Sequence, residues 1–419
     1  MMVALFLSMF ASVASAHEFT WRELTLDTEV TAFLDHLDES HVPDDFYVLF
    51  TGDTQYWYPC KASYANPGCV DFSKCKTDDL ACRKKQSTYS NQAQKHSFVH
   101  LNRWMQENLD QPISALIING DLTDYGKVAQ KRDLLRDWHD RVDGSIPIYL
   151  GMGNHEYMIA VNRNGGICGR SVCAVRMIEY FVREMRETRN ISVHIQESAH
   201  VDGKNRSVWQ GTFAYSWDIC GNRSLRSPDP PNCVHFVQLN NFPTYEVIIE
   251  SQSSVYNVIN SLRWLSDDLD RTPHDAVVIN FHDFVSFFTE HDKQRFIQVL
   301  EKSGKRILGI FFAHIHSEVG FDQQGVQYKR DHTRFWCIND RPVPLLYSGS
   351  VPGNNYLLAK FRNQTIHQLY AVHVRSRETS LGWTIELPRD CAPKETQTEE
   401  GDWMQDLWKR DAYESDGED

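Results

Sequence analysis

No stretch of this 419-residue chain reaches the roughly 20 consecutive apolar residues that a membrane-crossing helix requires. Basic residues are the minority sign, 43 Lys and Arg against 56 Asp and Glu, for a net charge of −13. That balance argues against a nucleic-acid scaffold, which clamps phosphates with a broad basic face, so no stable nucleic-acid binding is expected. Small anionic substrates stay open, because bound cations create their own local positive field. None of the ten cysteines falls in a Cys-x-x-Cys pair, which gives zinc-finger and thioredoxin readings little support. There is no internal repeat.

What is present begins with an apolar run, Val3 to Val13, followed by Ala14-Ser15-Ala16. This small-residue pattern reads as a signal peptide over 1–16, cut near His17, although a basic leading region is missing. The even number of cysteines suits an oxidising compartment. Four Asn-x-Ser/Thr sequons, at Asn190, Asn205, Asn222 and Asn363, agree with passage through the secretory pathway. A secreted or vacuolar/lysosomal glycoprotein with disulfide bonds is the expectation. The alternative is a surface protein that retains its leader as an anchor.

Length suffices for one large domain, placed at 17–392. Two stretches, about 57–90 and 160–233, hold four cysteines each, and the second carries three of the sequons. Both are read as disulfide-braced loops or small caps, with Cys168–Cys173 and Cys220–Cys233 as the near pairings. Residues 393–419 form an acidic tail with ten acids and three bases after Pro393, a composition that favours disorder.

Short β-branched runs predict buried strands at 46–50, 115–118, 146–150, 276–279 and 307–312. Spacings of three and four predict helices through Phe98, Leu101, Trp104, Met105 and Leu109, and through Val255, Val258, Ile259, Leu262, Leu265 and Leu269. Two more are expected around Leu134, Leu135 and Trp138 and around Phe296, Ile297 and Leu300. Strands alternating with helices give an α/β fold.

Directly after those strands stand five polar clusters: Gly52-Asp53-Thr54-Gln55, Gly120-Asp121-Leu122-Thr123-Asp124, Gly153-Asn154-His155-Glu156, Phe281-His282-Asp283 and Ala313-His314-Ile315-His316. Open α/β sheets bind ligands just beyond the carboxyl ends of their strands. Carboxylate, amide and imidazole together are the donor set of hard or borderline metal ions. His314 and His316, one residue apart, would point the same way if extended and so address neighbouring ions.

The order of these five blocks resembles the calcineurin-like metallophosphoesterase superfamily. The resemblance runs from Asp53 to His316, and two positions depart from the family pattern. Gln55 stands where the first block usually has histidine, and Ala313 where the last usually has glycine. The metal-binding tyrosine of the purple acid phosphatase branch would fall at Asp124, so no purple chromophore is expected.

The resemblance implies a four-layer α-β-β-α sandwich and two divalent or mixed-valence ions (Mn, Zn or Fe). It makes Asp121 the bridging ligand, with Asp53 and His316 completing the first metal site. Gln55 is there either a weak amide ligand or a neighbour standing behind the ligands. Asn154, His282 and His314 complete the second site. His155 is the implied catalytic histidine, steadied by Asp124. The implied enzyme is a phosphoester hydrolase whose metal pair activates water, acting on a small molecule, nucleotide or lipid headgroup. A binding protein that kept the fold and lost turnover is the alternative that Gln55 allows.

Other residues near the blocks carry two readings each. Tyr56, Trp57 and Tyr58 either stack on a ligand or pack under the cysteine-rich stretch. Asn240 and Asn241 either face substrate or cap a loop. Tyr347-Ser348-Gly349-Ser350 and Asn354-Asn355-Tyr356 flank a turn after the last block, where the resemblance implies part of a substrate wall.

Overall fold

The computed structural model describes residues 45–55, 95, 97–123, 146–157, 171–201, 206–221, 233–284, 286, 288–316, 319, 335–374, 380–385 and 391. The leader, the tail, residues 57–90 and the expected helix near Leu134 lie outside the described residues, as do Asp124, Tyr56, Trp57 and Tyr58.

In chain order the first strands are β1 (Phe46–Thr51), β2 (Ile113–Ile118) and β3 (Ile148–Leu150). β4 (Ile195–Val201), β5 (Ser207–Gly211), β6 (Tyr215–Cys220), β7 (Cys233–Gln238), β8 (Val247–Glu250) and β9 (Ser254–Val258) follow. The remainder are β10 (Ala276–Asn280), β11 (Arg306–Phe312), β12 (Phe335–Ile338), β13 (Arg341–Tyr347), β14 (Asn355–Arg362), β15 (Thr365–Val374) and β16 (Ser380–Ile385).

One six-stranded sheet has the order β16-β15-β14-β1-β2-β3, the other β12-β13-β11-β10-β7-β6. In the first, β1, β2 and β3 run parallel and β14 turns antiparallel against β1. In the second, β7, β10, β11 and β13 run parallel. The central strands are buried on both faces, which is why they read as unbroken apolar runs rather than alternating ones.

The two sheets meet through aromatic contacts. Phe50 stacks on Phe311 with ring centroids 4.0 Å apart, Tyr149 on Trp217 at 4.1 Å, and Phe236 meets the edge of Phe361 at 5.6 Å. Each of the four fully buried phenylalanine rings contributes about 1.5–3 kcal/mol by leaving water. A helix over 97–108 covers the outer face of the first sheet, its Ser97 hydroxyl 2.6 Å from that of Tyr356 and Trp104 against Tyr370. The helices Leu262–Arg271 and Glu290–Ser303 cover the second sheet, where Leu265, Leu269 and Phe296 pack against Val277, Ile279 and Phe281. Thr289 caps the latter helix by accepting from the Asp292 N–H, and left-handed Gly304 closes it. These four layers are the α-β-β-α sandwich that the resemblance implies.

The helix expected from Val255 to Leu269 divides into two elements. Val255 and Val258 belong to β9, and the helix starts only at Leu262. Val255-Tyr256-Asn257-Val258 is rich in side chains that are stiff near the backbone and favour a pleated surface, so local preference overrode the spacing. The stretch 160–233 contains more regular structure than loops would. It holds the helix Val172–Arg183, the π-turn Glu184–Thr188 and three strands, of which β6 joins the second main sheet. A third, four-stranded sheet has the order β4-β5-β9-β8. Cys220 and Cys233 form a disulfide at the β6–β7 register pair, and Cys337 is joined to Cys391. Cys173 is disulfide-bonded, while Cys168 lies outside the described residues.

Candidate metal centre

All five polar clusters emerge at the carboxyl edge of the paired sheets. Asp53 follows β1, Asp121 follows β2, Asn154 follows β3, His282 follows β10 and His314 follows β11. Backbone hydrogen bonds tie these strand ends to one another. Asp53 N–H donates to Gly120 O at 3.1 Å, Gly52 N–H to Gly349 O at 3.1 Å and Ala313 N–H to His282 O at 2.9 Å.

The backbone pays for the convergence with local strain: Asp53, Gln55, Asp121, Asn240 and His314 all have positive φ, between 32° and 76°. Left-handed backbone at non-glycine residues persists only where surrounding contacts over-determine it. The glycines permit close approach. A Cβ at Gly153 would lie 2.2 Å from Asp121 Oδ1, and one at Gly52 would lie 2.2 Å from the methyl of Ala313. Ala313 thus packs directly over Gly52, so the departure from glycine at 313 is absorbed by the glycine facing it.

Two groups of side chains share one carboxylate. Asp121, His282 and His314 form one, Asp53, Asp121 and His316 the other, with the ligand atoms in each within 4.8 Å of one another. Asp121 is fully buried, with Oδ1 accepting the His155 N–H at 2.9 Å and Oδ2 3.2 Å from His282 Nε2. Asp53 Oδ2 accepts the His314 N–H at 2.9 Å, and its Oδ1 is 3.5 Å from His316 Nε2.

The Asn154 amide tip lies 2.8 Å from His282 Nε2, 3.2 Å from His314 Nδ1 and 3.1 Å from Asp121 Oδ2. Turned nitrogen-inward, this amide donates to that ring of acceptors; turned oxygen-inward, it adds another lone pair to them. A set of lone pairs aimed at a common point is what a cation requires. Asp53 Oδ1 and Gln55 Oε1 are buried and accept no hydrogen bond from described residues. Orphaned acceptors beside paired carboxylates fit the metal ions that the donor set implies.

The structure brings Asp53, Gln55, Asp121, Asn154, His282, His314 and His316 into this cluster and puts His155 at its rim. The His155 ring, 15% exposed, has Nε2 3.8 Å from Asp121 Oδ2. Gln55 donates from Nε2 to Asp121 Oδ2 at 3.2 Å, a contact that a histidine would make differently. His314 and His316 reach their separate groups from a turn rather than an extended strand. β11 ends at Phe312 and His314 has φ 76°, because the left-handed residue swings the chain over Asp53.

Charge in the cluster follows from burial and proximity. Burial opposes the Asp121 charge, but His282 and His155 hold its carboxyl below the ordinary range. Burial likewise opposes a charged His282, yet Asp121 foremost, with Asp53 and Asp283, raises its pKa. Carboxylates therefore dominate the site, which attracts cations.

Sequence reasoning missed Gln238 and gave Glu156 no role of its own, while it left Asn240 with two readings. Glu156, fully buried, accepts from the N–H groups of Gly153 at 2.8 Å and Thr123 at 3.1 Å, clamping the Asp121 and Asn154 turns together. Burial first, and then the Asp121 charge, push its carboxyl up to about 8. Gln238 Nε2 donates to Asn119 Oδ1, and Asn119 Nδ2 to Ser348 Oγ, a polar bridge between the sheets. Asn240 faces inward, accepting from Met152 N–H and donating to Phe213 O. Its position at the end of an apolar run was the signal; the loop-capping reading is the one its contacts match.

An α-β-β-α sandwich with paired ligand groups across its carboxyl edge defines a class of metal-dependent hydrolases. The chain matches the calcineurin-like phosphoesterase family over residues 46–318, and it belongs to that family. Among curated proteins none matches it in sequence. A solved structure similar to it is the purple acid phosphatase from seeds of yellow lupin (Lupinus luteus), with 10% identity and a TM-score of 0.40. That alignment covers 84% of this chain, which spans 57% of the lupin chain's length.

Proposed function

We propose that the protein is a dinuclear-metal phosphoesterase of the secretory pathway. The observation that carries this reading is the buried Asp121 carboxylate shared by two ligand groups. In this reading Asp53, Asp121 and His316, with Gln55 beside them, hold one ion, and Asp121, Asn154, His282 and His314 hold the other. When bound, such a pair supplies an activated water nucleophile and neutralises charge on the phosphoryl oxygens.

The chain's own residues do the rest. His282 donates from Nδ1 to the Asn119 carbonyl at 2.8 Å, which makes Nε2 the nitrogen that faces the cluster and would meet an ion there. The His155 backbone is pinned by Asp121 while its ring reaches the exposed rim, a placement suited to giving a proton to the leaving oxygen. Asp124 steadies that imidazole in the same reading. The substrate is a phosphomonoester or diester of a small molecule, nucleotide or lipid headgroup.

Secretion draws support from the leader over 1–16 and from two sequon asparagines, Asn190 and Asn363, both exposed and in left-handed turns. Among the described residues no helix is long and apolar enough to cross a membrane.

Metal analysis of the purified protein alongside a broad phosphoester panel with added Mn²⁺ or Zn²⁺ tests the proposal. Two ions per chain with turnover of at least one ester is the expected result. Ions bound without any turnover would favour the binding-protein alternative, and a chain that binds no ion would refute the site.

A further inference from the structure

His282 and His314 present opposite ring nitrogens to the same group. His282 turns Nε2 inward because Nδ1 is committed to the Asn119 carbonyl. His314 turns Nδ1 inward, 3.2 Å from the Asn154 amide and 3.3 Å from His282 Nε2, and its outer Nε2 lies 2.8 Å from the Ser286 hydroxyl. A neutral imidazole carries one N–H and one lone pair. For His314 to offer its lone pair at Nδ1, the proton must sit on Nε2, where Ser286 Oγ accepts it.

Ser286 is itself fixed. Its N–H donates to Asp283 Oδ1 at 2.8 Å, and the fully buried Asp283 donates its own N–H to Asn241 O at 2.7 Å. The same Asn240–Asn241 backbone accepts the His282 N–H. One turn beyond β7 therefore locates His282 directly and His314 through Asp283 and Ser286. His314 needs such a hold, because its left-handed backbone lies outside any strand that would set its side-chain direction.

We propose that Ser286, held by Asp283, is a positioning residue that sets the ring orientation and Nε2–H tautomer of His314, and thereby the affinity of the second metal group. The inference rests on the dinuclear reading above and gives a role to the acid of the Phe281-His282-Asp283 block.

The test is equilibrium Zn²⁺ binding to chelator-stripped protein, by competition with a chromophoric chelator, for the parent, Ser286→Ala and Ser286→Thr. The parent is expected to take two ions. Ser286→Ala should weaken one of them by about 10–100-fold, the usual cost of losing an outer partner of a metal-bound histidine, and leave the other unchanged. Ser286→Thr keeps the hydroxyl and should retain most of the affinity, while ¹⁵N spectra of the apo protein should show His314 losing its single tautomer only in Ser286→Ala. Parent-like binding of both ions by Ser286→Ala would overturn the inference, as would equal weakening by Ser286→Thr. A parent that binds no Zn²⁺ would instead overturn the dinuclear reading and this inference with it.

Discussion

His235 gives a stability prediction that is independent of any metal. It lies on β7 opposite Asp218 of β6, with Nδ1 2.6 Å from Asp218 Oδ1 and Nε2 3.0 Å from Asp268 Oδ2 of the helix Leu262–Arg271. His274 Nε2 lies 3.5 Å from Asp218, Arg271 3.9 Å from Asp268, and the Ser216 hydroxyl donates to Asp268 at 2.9 Å. Burial opposes the imidazolium, but two carboxylates outweigh it and push the pKa up to about 9 from its ordinary 6.5. A raised histidine stabilises the fold fully below the unfolded value and loses that contribution as pH climbs through the folded one. The window is therefore pH 6.5 to 9.

At 1.36 kcal/mol per pKa unit the upper bound is about 3 kcal/mol, and solvent screening at Asp218, 42% exposed, brings it nearer 2. Urea unfolding of the metal-free, disulfide-intact protein should show the parent losing about 2–3 kcal/mol between pH 6 and 9.5 relative to His235→Gln. Comparison with the variant is essential, because Glu156, raised to about 8, also loses stability as pH rises. Parallel pH curves for parent and variant would refute the assignment of charge to His235.

Three further outcomes concern the metal centre. Replacing Asp121 with Asn removes the shared charge, so metal analysis should show both ions lost together; retention of either at parental affinity would disprove sharing. His155→Ala should keep both ions yet lower kcat by about 10²–10⁴-fold, read from steady-state kinetics on the best ester of the panel. Gln55→His exchanges an amide donating to Asp121 for an imidazole, and tighter binding of one ion in a chelator titration would place position 55 among the ligands. Unchanged affinity would put it behind them.

The order of the five clusters, and the apolar runs that deliver them, were legible because each ligand sits immediately beyond a strand and strand burial leaves a local signature in composition. The helix Glu290–Ser303 was legible for the same reason, since its cap, spacing and closing glycine are neighbours in sequence. The division of 255–269 into strand and helix was not, because the apolar spacing there is helical throughout and the β preference of Val255 to Val258 prevails only where β9 finds β5 and β8 to pair with.

Sequence by itself therefore determined the donor types, their order and the class of chemistry they suit. Only the tertiary structure decided which donors stand together, which ring nitrogen faces inward, and which distant residues hold them there. Asp121 lies 161 positions from His282; Ser286 and Glu156 meet His314 and Thr123 only once strands pair within each sheet, and Gln238 meets Asn119 only when the two sheets close on each other. Ligand identity is a property of single side chains, whereas the aim of a lone pair depends on hydrogen bonds made across the whole fold.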